Sequence, residues 1–547
     1  MTARPYAVRP ARRVTLEAGP WRGVRDDLSP NAASPEWLQA LTNGYLDNLA
    51  TGPTIVGRPG FSQLGAQLAS GGTRTVQRCY QFTKLAGTQY TVAIVNGEIY
   101  TYDWATDTTT KVVTTANLTT ASVTLSSTAK VYAVTFADDM VISDGVNAPF
   151  TWDGTSGAGG LTALTNCPVL YGQPVVYYAK LFGIKNTERS TIVWSEEADA
   201  NVGYEALIGG RQYNNAWTIG QTDQRPLYAL AATNRALYLF RARSITEVLG
   251  AVADDFQTTG TREAVSSVIG CQSPDGVTVV NEDVWFWSAD HAPYVIRAGG
   301  GLQEVAEGLV RATSGSPKTV AALAAVVSVY VDFARAVAFG LPAFGGSVPS
   351  LYVLVSVETG TCIGIWQGWT CATLDVVTDD NGRDRLVHGG GSSATTSAAG
   401  YLYAFGRPGL TIWTDEFAAA DAPIAHSLTT GYLLWDAALQ HRLDRVTVSH
   451  TTASGLTGCS LDVVTPDGVG TVQSFAVSGA GGMVWNQDDW DEEDWAGTAV
   501  EAPADLGRAE EGRWFQVRVA HATAAEEWGV NRIRLEAFVR DARTGVN

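Results

Sequence analysis

Tyr90-Thr91-Val92-Ala93-Ile94-Val95, then Asn96-Gly97-Glu98, then Ile99-Tyr100-Thr101-Tyr102: this stretch decides how the chain is read. Two runs rich in β-branched and aromatic residues flank a short polar turn containing Asn-Gly, the dipeptide that tolerates the left-handed backbone of a tight hairpin. The arrangement recurs. Val131 to Phe136 and Met140 to Ile142 flank Ala137-Asp138-Asp139, and Val277 to Val280 and Val284 to Trp287 flank Asn281-Glu282-Asp283. Further strand pairs begin near Val175, Leu227, Val327 and Asp375, so clusters restart every ~40 to 55 residues between about 76 and 420. A four-stranded unit of that size cannot bury its own faces, and repetition predicts a β-propeller of six or seven blades. The repeats lack a GH…WD signature, which separates them from WD40 units; two large β-sandwiches are the other architecture such strands could build.

Composition agrees with an all-β chain. Of 547 residues 45% are apolar and 17% charged, which excludes wholesale disorder, and 57 Gly, 17 Trp and 20 Tyr suit many tight turns and strands. A net charge of −18 argues against a protein that grips nucleic acid by neutralising phosphates. The six cysteines lie far apart with no CxxC pair, and the expectation is buried reduced thiols; only Cys362 and Cys371 are near enough for a hairpin disulfide. The start lacks the apolar core of a signal peptide, and the longest apolar stretch, 320–331, is too short to span a bilayer, so no membrane span is expected.

The clusters divide the chain into three parts. Residues 1–75 carry seven prolines and read as an extended arm, with one short helix where Ser34 can cap, Pro35 can take the first helical position, and Trp37, Leu38 and Leu41 share a face. Residues 76–425 are the propeller. Residues 426–547, with period-2 runs such as Arg445 to His450 and Ile533 to Phe538, read as a closing β-sandwich-like domain.

Chemistry is sparse. There are six histidines and no HExxH, GxSxG, GxxxxGK[ST] or zinc-spaced Cys/His cluster, so the expectation is no enzyme and no catalytic, cofactor or metal residue. A glycosidase carboxylate pair assembled from different blades would leave no spacing to find. The run Asp488, Asp489, Asp491, Glu492, Glu493 and Asp494, interleaved with Trp485, Trp490 and Trp495, has oxygen ligands in number for calcium but not the order of an EF-hand loop. It reads as a solvated acidic hairpin. Ser143-Asp144-Gly145 with Thr151-Trp152 departs from a sialidase Asp-box in spacing and marks a blade turn rather than a catalytic site. Arg4, Arg9, Arg12, Arg13, Arg22 and Arg25, against Glu17 alone in the first 25 residues, make the arm a candidate subunit interface, with Arg58 beside it.

The passage Asn43-Gly44-Tyr45 followed by Gly57-Arg58-Pro59-Gly60, with the Ile142-Ser143-Asp144-Gly145…Trp152-Asp153-Gly154 segment and a terminal β-domain, resembles the tail nozzle, or tail hub, proteins of short-tailed bacteriophages. The resemblance implies a structural virion protein assembled in the host cytoplasm, a ring of about six copies below portal and adaptor proteins. Such a ring continues the DNA ejection channel, passes DNA without binding it specifically, and carries fibres or spikes. An acidic wall suits a conduit that must not hold a polyanion. A glycan-binding or glycan-hydrolysing propeller, and a tail-tip or receptor-binding protein of a longer-tailed phage, are the alternatives.

Overall fold

The computed structural model describes residues 13–25, 34–47, 53–68, 75–219, 225–250, 261–309, 320–343, 346–390, 400–406, 414–416, 421–431, 433, 440–451, 456–465, 468–477, 499–505, 511–512, 515–522, 528–530 and 532–540. They form an all-β protein, a β-propeller joined to a C-terminal β-sandwich. Six small antiparallel sheets stand in a ring: 76–113, 132–163, 170–218, 227–266, 277–304, and 371–405 completed by Phe61–Leu64. Residues 327–367 form another four-stranded meander in the same ring, between the last two of these, and its outermost strand continues into the C-terminal sheet. The first strands of successive meanders are neighbours all the way round, from Val76–Thr83 to Cys371–Thr378 and back to Val76–Thr83.

Local chemistry makes the hairpins. Asn96 and Gly97, Ala137 and Asp138, Tyr178 and Ala179, and Asn281 and Glu282 are consecutive pairs with positive φ, the type I′ geometry whose twist matches the strands it joins. The middle strands then bury both faces, because a blade has a neighbour on each side, while outer strands such as Thr108–Val113 and Thr261–Ser266 stay largely exposed. Val92, Ile94, Met140, Ile142 and Trp152 fill the space between the first two blades, and Phe182, Trp194, Leu237 and Leu239 that between the third and fourth.

The N-terminal segment differs from the expected arm. Arg13–Ala18 pairs antiparallel with the last strand, Arg532–Arg540. Trp37–Thr42 pairs with His426–Thr430 and, at Thr42, with Ile365 of the Cys362–Gln367 strand. Gly44–Asp47 and Thr54–Gly57 form a hairpin that takes Gly529–Val530 at its edge, and Phe61–Leu64 is the outer strand of the last blade. The described parts of 1–75 are thus woven through their own chain. The short helix expected from Ser34 is a strand instead: a helix of so few residues has an unfavourable nucleus, while this segment finds strand partners on both sides and buries Leu38 and Leu41.

The C-terminal part is a sandwich of two sheets. One holds Arg13–Ala18, Arg532–Arg540, Gln440–Thr451 and Ala499–Asp505, with Glu511–Gly512 beside the third of these. The other extends from the 327–367 meander through Trp37–Thr42, His426–Thr430, Gln516–His521 and Leu456–Thr465 to Gly468–Val477. Val446, Val448, Ile533 and Leu535 share one core with Leu461, Val463, Val517 and Val519, and that core runs on without a break into Tyr352, Trp366 and Phe405 of the propeller. Five cysteines are buried free thiols, including Cys362 and Cys371, so no disulfide bridges that pair.

Phe61 is 1% exposed, inside a ring of Trp369, His388, Tyr403 and Phe405. Phe61→Ala is expected to lower the unfolding free energy by about 3–5 kcal/mol, and a chain beginning at Gln67, which leaves the last blade one strand short, to lose its cooperative transition. Calorimetry checks both.

Candidate functional site

Two constellations of buried polar residues hold the molecule together, and a third lies open to solvent. The first grows from the Asn43 and Arg58 passage. Asn43 takes a left-handed backbone (φ 54°) between two strands, which turns its side chain into the junction of propeller and sandwich. There its Oδ1 accepts from the Gln367 amide (2.7 Å) and from Arg58 Nε (3.2 Å), and its Nδ2 donates to the Ala425 carbonyl (3.0 Å). The Arg58 side chain is 1% exposed and grips Asp415 with both ends of its fork, Nη1 donating to Oδ1 at 2.7 Å and Nη2 to Oδ2. Its guanidinium lies over Trp369, 4.7 Å from the ring centroid, and Trp369 stacks on Tyr352 at 4.2 Å.

Two histidines complete the shell. His426 Nδ1 lies 2.8 Å from the Asn43 carbonyl oxygen and its ring stacks on Trp528. A Cβ on Gly57 would sit 2.8 Å from that ring, which is why this position is glycine. Burial pushes the His426 pKa down to about 3, with the Arg58 charge adding to the effect and the Asn43 carbonyl opposing it. His388, between Phe61 and Tyr403, is likewise lowered to about 3 by burial and then by Arg58, and neither ring nitrogen has a hydrogen-bond partner among the described residues.

The second constellation fills the ring axis. The 271–276 segment leading into Val277–Val280 crosses the middle of the ring. Pro274 packs against Gly172 of the third blade, and the Asp275 carbonyl accepts from the Ser328 amide of the 327–367 meander (2.8 Å). The Asp275 carboxylate meets Arg78 of the first blade (3.2 Å) and Lys130, just before the second (2.6 Å). Arg78 also reaches Asp375 of the last blade at 3.6 Å. Burial would raise Asp275, but Lys130 and Arg78 outweigh it and hold it below the usual carboxylate range. Asp375, farther from its one cation, is pushed up to about 6 by burial. Arg189 lies between the rings of Tyr171 and Tyr228, 3.6 and 4.6 Å from their centroids. Several buried atoms here lack a hydrogen-bond partner among the described residues: Nε of Arg78 and Arg189, Oε1 of Gln173 and Gln272, and Oδ2 of Asp375. Such atoms are where ordered water or a small polar ligand bonds.

The third constellation is a cavity of about 260 Å³ lined by Trp287, Asp290, His291, Pro293, Glu304 and Leu309 among others. Tyr294 Oη lies 3.2 Å from Asp290 and 3.4 Å from Glu304, so one phenol spans two exposed carboxylates. Burial, and then the charges of Asp290 and Glu304, push its pKa well above the ordinary phenol value. His291 (φ 73°) and Ala306 (φ 52°), both lining the cavity, hold left-handed backbones without being glycine.

The expected interface residues fall differently. Arg58 is a correction: it is spent inside the chain on Asp415, so it offers nothing to a second subunit. Arg22 pairs with Glu36 of its own chain (2.6 Å), and Arg25 lies 5.7 Å from the Trp37 ring. Arg13 lies on the strand paired with Arg532–Arg540. Arg4, Arg9 and Arg12, and the acidic run Asp488, Asp489, Asp491, Glu492, Glu493 and Asp494, lie outside the described residues. Asp144 accepts from the amides of Ser126, Val146 and Asn147, the turn role expected of it. The axial network escapes sequence reading because its members come from four blades; Asp275 beside Pro274 in a hairpin lead-in was the only local signal. Among the described residues no group of three or more His, Cys, Asp or Glu side chains could hold a metal ion, and no helix is long and apolar enough to cross a membrane.

No family model matches the chain, and no curated protein does. Solved structures similar to it include PorZ, a bacterial surface component of the type-IX secretion system of Porphyromonas gingivalis (11% identity, TM-score 0.35), aligned over 71% of this chain and only 44% of PorZ. Others are an exo-beta-1,3-galactanase from Phanerochaete chrysosporium (8% identity, 76% of this chain, 97% of that one, TM-score 0.27) and the AfRom2 CNH domain (9%, 63%, 99%, TM-score 0.39). At these values no activity or partner passes from them to this chain.

Two outcomes follow from the buried groups. Arg58→Met strands Asp415 in the junction and is expected to cost about 3–5 kcal/mol in denaturant unfolding, most of it recovered when Asp415→Leu is added. For the histidines, the unfolded chain takes up protons near pH 6.5 and the folded chain only near 3. The unfolded state therefore binds more protons in that window, and each histidine removes ~1.4 kcal/mol per pH unit on acidification. Asp375 works against this between about pH 6 and the unfolded value of ~3.9, where the folded state holds the extra proton. His388→Phe should raise stability at pH 7 by about 1 kcal/mol, since it removes an unpaired imidazole, and flatten the acid slope; an unchanged slope would contradict the buried neutral state.

Proposed function

We propose that this chain is a ring-forming structural protein of a phage tail, a hub or nozzle beneath the portal and adaptor that carries fibres or spikes. The observation that carries this reading is the Asn43–Arg58–Asp415 junction. Asn43 and Arg58, two of the residues on which the resemblance to tail hubs rests, bind propeller and sandwich together, a role in mechanical continuity rather than chemistry. A tail component must pass force between neighbours without hinging, and a bidentate buried ion pair inside a continuous apolar core supports that. The polar plug across the propeller axis agrees with a DNA path running between copies instead of through one propeller, past a chain of net charge −18.

The second reading, a glycan-hydrolysing propeller, is favoured by the paired carboxylates Asp290 and Glu304 at an open cavity, since glycoside hydrolysis needs two carboxyl groups flanking one bond. One experiment separates the two: electron microscopy of the purified chain, alone and with a portal–adaptor complex, beside an assay for reducing ends released from host polysaccharide. Rings of about six copies without turnover are the expected result. Persistent monomers that release reducing ends, with loss in Asp290→Asn and Glu304→Gln, would replace the hub reading by the enzyme.

A further inference from the structure

Where the ring closes, the first and last blades leave a cleft at their rim. Gln81, Thr91 and Tyr102 stand opposite one another in register across three strands of the first blade. They lie on the face turned toward the last blade, where Cys79, Ala93 and Tyr100 pack with Val377 and Val387. After Tyr102 the chain turns and brings Trp104 back over this face. Its indole Nε1 donates to Thr91 Oγ1 (2.9 Å) and its ring meets Tyr102 edge-on at 5.0 Å, which fixes the plane of the indole. Thr378, Asp379 and Asp380 of the last blade form the opposite wall, and the space between is about 290 Å³.

Three features give the chemistry of an occupant. Both polar atoms of the Gln81 amide are buried and among the described residues neither has a hydrogen-bond partner, although the side chain lines the cleft. An amide left so is costly, and it offers one donor and one acceptor side by side. Trp104 is half-buried, with its indole N–H already used, so what it offers an occupant is apolar surface. The acidic groups are largely committed to the protein: Asp103 Oδ1 accepts from the amides of Ala105 and Thr106, and Asp379 accepts from Asn381, Arg383 and Arg385. Committed carboxylates repel an anion and are poorly placed to enclose a cation, but they still accept hydrogen bonds from hydroxyl groups.

We propose that this cleft binds a neutral saccharide, one pyranose ring lying on Trp104 with its hydroxyls bonded to Asp380 and to the Gln81 amide, which turns out of its buried position to meet them. The site is separate from the Asp290 and Glu304 cavity and stands whether or not the chain forms rings. It gives a tail protein, or any other, a means of holding surface glycan without cutting it.

The test is saturation-transfer NMR of the full chain with neutral hexasaccharides (maltohexaose, cellohexaose, β-1,3-galactohexaose) and with hexagalacturonate as the charged comparator. At least one neutral hexasaccharide is expected to bind and hexagalacturonate not to. Trp104→Ala and Gln81→Met should each weaken binding by roughly tenfold or more. Asp380→Arg, at an exposed position that leaves the fold intact, should do the same with an unchanged melting temperature. No saturable binding of any neutral hexasaccharide at about 10 mM, a preference for the uronate, or binding that survives both Trp104→Ala and Asp380→Arg would overturn the proposal.

Discussion

A fully buried guanidinium is among the most expensive groups a protein can carry, and here it is the point on which two domains turn. Taking Arg58 and Asp415 out of water costs several kcal/mol per ion, a cost offset only when geometry is good and every remaining donor is satisfied. That condition is largely met: the fork faces the carboxylate, Nε faces Asn43, and Nη1 also donates to the Pro59 carbonyl (3.2 Å). Around the pair are aromatic rings, so a shifted register would leave charge against hydrocarbon. The junction therefore has one geometry of low energy, which an apolar interface of equal area would not ensure.

The same logic operates at the ring axis with a different balance. Arg78, Lys130, Asp275 and Asp375 come from parts of the chain that meet only when the propeller is complete, and they are more wetted than Arg58, with side chains 10–29% exposed. Asp275 has two cations; Asp375 has a share of one. The axis is thus tightly specified on one side and looser on the other, where the unpartnered polar atoms collect. Junction and axis divide the work, one fixing how the propeller meets the sandwich and the other how the blades meet each other.

Much of this was legible beforehand because hairpins are local. Asn96-Gly97, Ala137-Asp138 and Asn281-Glu282 lie between strands they connect directly, so turn chemistry and alternation suffice to place them. The Trp37–Thr42 strand could not be read so, because its fate depends on His426–Thr430 and Ile365, hundreds of residues away, and a six-residue window of Trp, Leu, Gln and Ala is ambiguous without them. Arg58 misled for a related reason. Arginine is seldom buried, and nothing near it in sequence announces Asp415. The Trp104 cleft was invisible as well: its walls belong to the first and last blades, neighbours only in a closed ring.

That closure has a consequence for how the protein is made. Phe61–Leu64 leaves the ribosome among the first strands, yet its partner is Leu402–Phe405. Asp415, which fixes the junction beside it, lies 357 residues beyond Arg58. At synthesis rates of about 5–20 residues per second the wait is on the order of 20 to 70 s. Through that interval a strand edge, an apolar Phe61 and an unpaired Arg58 are held by nothing native, while the blades between them mature one after another. A strand edge, an apolar ring and a charge near 58–64 are thus among the first parts of the propeller to be made and among the last to meet their partners.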